Sequence, residues 1–115
     1  MILELPYPPS VNHYYRHWGN RVMISHDGRV YRERVLSIVS TSGEHGFTGK
    51  VVMTVDLYPP DLRRRDIDNT LKALQDALTA AHVYKDDSDI FEMHLYKREP
   101  LPPDGLAVVK VEKLT

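Results

Sequence analysis

The chain has 115 residues, 42% hydrophobic and 27% charged, with a formal net charge of −1. That is one ordinary globular domain, neither disordered nor strongly basic. It contains no cysteine, which excludes disulfides, thiol catalysis and thiolate-held zinc. No apolar run approaches the roughly 18 residues of a membrane span, and Met1-Ile2-Leu3-Glu4-Leu5-Pro6 lacks the basic start of a signal peptide, so a cytoplasmic protein is expected.

In chain order, residues 2–5 read as a short first strand. Pro6-Tyr7-Pro8-Pro9-Ser10-Val11-Asn12 follows, a rigid extended loop in which three prolines remove backbone donors and fix φ. Tyr14–Trp18 and Arg21–Ser25 flank Gly19-Asn20 and read as a hairpin. Its Tyr14, Tyr15 and Trp18, interleaved with His13, Arg16 and His17, suit stacking on exposed bases beside phosphates or packing on the domain edge. Ser25 is placed to cap a helix over residues 26–42, with Tyr31, Val35, Ile38 and Val39 as its apolar face. Arg29, Arg32, Glu33 and Arg34 fall mostly on its other side. Residues 41–49 form a connecting loop, and 51–58 a strand rich in β-branched residues. A helix over 70–82 carries Leu71, Leu74, Leu78 and Ala81 at helical spacing, with Asp68 or Asn69 as its cap. Strands 90–98 and 106–112, joined by the proline-rich 100–105, read as an antiparallel pair. The expected architecture is α/β (α+β): a single domain over residues 1–115 with a mixed sheet and two helices on one face.

Charge is segregated along this order. Residues 13–34 hold five arginines against Asp27 and Glu33, a local +3, whereas 85–92 set Lys85 against Asp86, Asp87, Asp89 and Glu92, a local −3. The densest arrangement is Arg63-Arg64-Arg65-Asp66-Ile67-Asp68-Asn69-Thr70-Leu71-Lys72. If Asp66 to Asp68 is extended, both carboxylates lie on one side, with Ile67 directed to the core. Lys72 sits one helical turn beyond Asp68. Two carboxylates about 4 Å apart repel by roughly 4 kcal/mol at an effective dielectric near 20. A divalent cation removes that repulsion, and magnesium takes oxygen ligands from one or two carboxylates, water and phosphate. Arg63, Arg64, Arg65 and Lys72 suit such a phosphate. The same spacing is compatible with a turn and cap, with Lys72 as an ion-pair partner of Asp68 and Asp76. Asp86, Asp87 and Asp89 read either as a solvated turn or as a third carboxylate that the helix returns to face Asp66 and Asp68.

Taken together, Pro8-Pro9-Ser10-x-Asn12-x-Tyr14-Tyr15-Arg16, Asp66-x-Asp68-Asn69-x-x-Lys72, Asp76-Ala77-Leu78 and Asp86-Asp87 resemble the RusA family of Holliday-junction resolvases, in the same order and over almost the whole chain. The resemblance implies a homodimeric, Mg²⁺-dependent endonuclease of phage or prophage origin that cuts four-way DNA junctions by paired symmetric nicks in recombination and repair. Mn²⁺ is expected to substitute for Mg²⁺. Residue by residue it implies Asp66, Asp68 and Asp87 as catalytic, metal-binding carboxylates, with Asp86 the alternative to Asp87, and Lys72 as the essential lysine. DNA contacts fall to Asn12, Tyr15, Arg16, Arg63, Arg64, Arg65 and Asn69. The alternatives are a non-catalytic DNA-binding dimer, a metal phosphohydrolase of small esters, or a metal-dependent nuclease of other branched DNA.

Overall fold

A computed structural model describes all residues, Met1–Thr115. Its elements are β1 (Ile2–Leu5), α1 (Val11–Tyr14), β2 (Tyr15–Trp18), β3 (Arg21–Ile24), α2 (His26–Ser42), β4 (Val51–Tyr58), α3 (Leu71–Ala80), β5 (Ile90–Lys97) and β6 (Leu106–Lys113), with a short 3₁₀ turn at Asp87–Asp89 before β5. Four strands form one mixed sheet in the order β1-β6-β4-β5, and β2 and β3 form a separate hairpin. The expected class and two long helices are present. One helical turn, α1, lies where the proline-rich stretch reads as an extended loop, because the prolines stop at Pro9 and Ser10 opens a turn: the amides of His13 and Tyr14 both donate to its carbonyl.

Period-two burial places the core. On β4, Val51, Met53, Val55 and Leu57 are buried and the residues between them half-buried. In register with them lie Val111, Val109 and Ala107 of β6, and Met93 and Leu95 of β5. This face meets Tyr31, Val35 and Val39 of α2 and Ala73, Leu74, Ala77 and Leu78 of α3 in one cluster of 20 buried residues. Each fully buried aliphatic side chain contributes roughly 1.5–3 kcal/mol.

Helix α2 begins as expected: the Ser25 hydroxyl accepts from the amide of Gly28 at 2.9 Å. It ends at Gly43 in the left-handed region. Helix α3 departs from expectation at its start. Its first flanking residue is Thr70, and neither Asp68 nor Asn69 caps it with a side chain. Residues 67–70 form a turn in which the Asn69 amide donates to the Asp66 carbonyl and the Leu71 amide to that of Asp68, each at 3.1 Å. Asp66–Asp68 is therefore not a strand-like segment, and Ile67 is 42% exposed rather than core-facing.

The strand pairing of the C-terminal third also differs. β5 and β6 are not partners, because β4 lies between them, parallel to β5 and antiparallel to β6. The physical reason is in the connections. Helix α3 carries the chain back so that β5 restarts in the direction of β4. The link after β5 then passes over the end of β4, where Arg98 donates to the Leu57 carbonyl at 2.7 Å and Leu101 to that of Pro59 at 2.8 Å. Gly105, at φ +74°, turns the chain into β6, and a Cβ there would lie 2.7 Å from the Tyr58 carbonyl oxygen.

Candidate active site

Asp66 and Asp68 sit on the turn that leads into α3, and Lys72 is on the first turn of the helix. All three side chains are exposed. None enters any of the five ion pairs of the chain. A structural role for Lys72 as the partner of Asp68 and Asp76 is therefore not what the fold uses. Asp76 is committed elsewhere: its Oδ2 accepts from the Tyr14 hydroxyl and from Nη2 and Nε of Arg32, at 2.6 and 3.1 Å for the two nitrogens. Burial, then the bond to Asp76, push the Tyr14 hydroxyl well above its ordinary range. This clasp fastens α1 to α2 and α3. It also takes Arg32 out of the solvated face on which it reads in the sequence. Arg32's own charge is held more firmly by the bond to Asp76.

The second acidic stretch is anchored at the other end of α3. Thr79 Oγ1 donates to Asp87 Oδ1 at 2.5 Å, and the Tyr84 hydroxyl lies 3.3 Å from the same oxygen. Asp86 instead caps the 3₁₀ turn, accepting from the Ser88 amide at 2.9 Å and from its hydroxyl. Those bonds hold the Asp86 carboxyl below its usual range. Asp87 is thus the residue aimed at the helix, and Asp86 is spent on the turn. The Tyr84 hydroxyl also donates to the Gln75 carbonyl at 2.9 Å, so Asp87 lies against the Gln75–Thr79 turn of α3. No three histidine, aspartate or glutamate side chains converge to hold a metal ion. The donor chemistry at Asp66 and Asp68 nonetheless fits a hard divalent cation: two unpaired carboxylates, two residues apart.

Beside this turn lies a cleft of about 300 Å³ lined by Tyr7, Pro8, Ser10, His13, Arg63, Arg64 and Arg65 among others. The three arginines are not equivalent. Arg65 is mostly buried and pairs with Asp61 at 2.7 Å, with its guanidinium 5.9 Å from the Tyr7 ring. That pair, with the Arg63 amide, holds the Asp61 carboxyl down at about 2. Arg63 and Arg64 are exposed and enter no ion pair. Arg65 therefore shapes the loop, and the free cations are its two neighbours. Asn69 joins this region to α1, its carbonyl accepting from the Val11 amide at 3.0 Å. Asn12 and Arg16 are exposed, whereas Tyr15 is half-buried, edge-on to Tyr14 with ring centroids 4.9 Å apart. Thr79 and Tyr84 carry no motif and were not legible as site residues; only tertiary contact brings them in.

A family model described as Endodeoxyribonuclease RusA matches residues 6–110. The chain belongs to the RusA family of endodeoxyribonucleases. Among curated relatives, the crossover junction endodeoxyribonuclease RusA of Enterobacteria phage 82 is 41% identical over 96 residues, covering 83% of this chain and 80% of that protein. That of Escherichia coli strain K12 is 38% identical over the same length. That of Escherichia coli O139:H28 is 38% identical over 113 residues, 97% of this chain and 93% of its own. The family is one of DNA-hydrolysing enzymes. No helix of this family member is long and apolar enough to cross a membrane.

Proposed function

We propose that this protein is a divalent-cation-dependent resolvase that cuts four-way DNA junctions by paired symmetric nicks as a homodimer inside the cell. The observation that carries the reading is the trio Asp66, Asp68 and Lys72: three exposed charges around one helix entrance, none used by the fold, in a RusA-family chain. Asp66 and Asp68 would hold Mg²⁺, or Mn²⁺ in its place, and Asp87 is proposed as the third carboxylate. Because no three such side chains converge within one chain, the reading has assembly with DNA or with a second copy complete the site. The bound cation supplies Lewis acidity at the scissile phosphate and a nucleophile at neutral pH.

The chain's own groups do the rest. The Lys72 ammonium, one turn into α3, stabilises negative charge as it builds on the phosphate oxygens. Arg63 and Arg64 hold the backbone at neighbouring phosphates, contacts that position DNA without reading its sequence. Two active sites related by a two-fold axis match the symmetry of a junction cut on two strands of like polarity, and an isologous dimer is the simplest way to supply them.

The test incubates a labelled four-way junction, a linear duplex of the same arms and a small phosphate ester with Mg²⁺. The junction should be cut and the other two left intact. Asp68→Asn, which keeps shape but removes charge, should abolish cleavage and leave junction binding intact or stronger. A supercoiled plasmid extruding a cruciform should give linear product without accumulating nicked circle, and light scattering should give a dimer mass. Equal cutting of linear duplex, or wild-type cleavage by both Asp66→Asn and Asp68→Asn, would refute the reading.

A further inference from the structure

The β2–β3 hairpin stands apart from the main sheet, and its two faces differ. Directly opposite residues of an antiparallel pair project to the same side. The register therefore places Tyr15, Ile24, His17 and Val22 on one face, and Arg16, Met23, Trp18 and Arg21 on the other. Tyr15 and Ile24 pack against the core cluster, so the first face is turned to the body at its base, while its outer pair, His17 and Val22, is exposed. The second is open: Trp18 is 69% exposed and Met23 42%. The Arg16 guanidinium lies 5.9 Å from the centre of the indole, and Arg21 is its direct cross-strand partner. The hairpin carries no carboxylate from Tyr15 to Ile24, in a chain whose acidic and basic residues nearly balance. A large exposed indole flanked by two cations, with no anion near in sequence, matches a base flanked by its phosphates.

The hairpin's position relative to the cleft agrees. α1 leads directly into β2, and its first amide is bonded to the Asn69 carbonyl beside the acidic pair. His13 of α1 lines the arginine cleft. The open hairpin face and the candidate active site are thus joined by one four-residue helical turn, about 6 Å long.

We propose that Trp18 stacks on a base exposed at the DNA branch point, with Arg16 and Arg21 holding the adjoining phosphates, and that this contact selects branched over linear DNA. In a continuous duplex every base face is already covered by its neighbours, so the indole has nothing to stack on. At a branch point the stack is interrupted. The inference rests on the resolvase reading above, and goes beyond it by naming the residue that distinguishes the substrate's shape.

Trp18 is the only tryptophan in the chain, so its fluorescence reports this contact alone. Wild-type protein in EDTA is titrated with an immobile four-way junction and, separately, with linear duplex of the same arm sequence at the same salt. Emission should be quenched by the junction and hardly changed by duplex. Trp18→Ala should bind the junction about five- to a hundredfold more weakly with duplex binding unchanged, and Trp18→Phe should retain most of the preference. Unquenched emission on a junction that wild type binds selectively overturns the inference while leaving the resolvase reading standing. Equal weakening of junction and duplex by Trp18→Ala also overturns it. So does a change of mass in light scattering, which would make this face a protein–protein contact. Wild type with no preference for the junction would instead refute the resolvase reading itself.

Discussion

Replacing Asp76 with alanine removes the single oxygen on which α1, α2 and α3 converge. Oδ2 accepts from the Tyr14 hydroxyl and from two nitrogens of Arg32, and the two losses differ in size. The Arg32 side chain is 40% exposed, so its guanidinium recovers water, and an exposed pair contributes at most about 1 kcal/mol. Tyr14 is fully buried, and its hydroxyl loses a charged acceptor. Hydrogen bonds to charged groups are worth about 1.5–3 kcal/mol. Asp76 is itself 29% exposed, so water entering the vacated place keeps the total in the lower half of the summed range, about 1.5–2.7 kcal/mol. At roughly 4 °C per kcal/mol for a domain of this size, the melting temperature should fall by about 6–11 °C. Thermal unfolding followed by circular dichroism measures it. A double-mutant cycle with Tyr14→Phe then tests the cause. If the clasp is the mechanism, the two changes together cost little more than Asp76→Ala alone. A fall of less than about 2 °C, or strict additivity of the two changes, would refute the reasoning.

Three further outcomes follow from the geometry. Lys72→Ala should lower turnover about 10²–10³-fold with junction affinity nearly unchanged, and equal single-turnover rates at saturating enzyme would remove Lys72 from the chemistry. Thr79→Val removes the donor that holds Asp87 Oδ1, and should cost about 1 kcal/mol of stability together with a drop in cleavage. An unchanged rate would show that this anchoring does not position Asp87. Gly28→Ala should destabilise by about 1–3 kcal/mol, although alanine is ordinarily favoured in a helix by about 1 kcal/mol, because the new Cβ falls 2.5 Å from the Tyr14 carbonyl oxygen. A rise in melting temperature would show that α1 yields without cost.

Much of this protein is decided locally. Apart from the turn α1, apolar spacing, the Ser25 cap, the glycine-centred hairpin and the β-branched run at Val51–Tyr58 dictate which segments are helix or strand, to within a residue or two. Periodicity reports which side of an element is buried, and so it finds the core face of β4. It carries no information on which strand lies beside which. The placing of β4 between β5 and β6 comes from the α3 crossover and from a link pinned to the Leu57 and Pro59 carbonyls, contacts between residues far apart in the chain. The candidate site divides along the same line. Asp66, Asp68 and Lys72 are close in sequence, so their association with one helix entrance is legible in the motif. The backbone turn that leaves Ile67 exposed, the diversion of Arg65 to Asp61 and Arg32 to Asp76, and the anchoring of Asp87 by Thr79 are tertiary outcomes. A charged side chain's role depends on which partner the fold brings within about 3 Å, and only packing determines that.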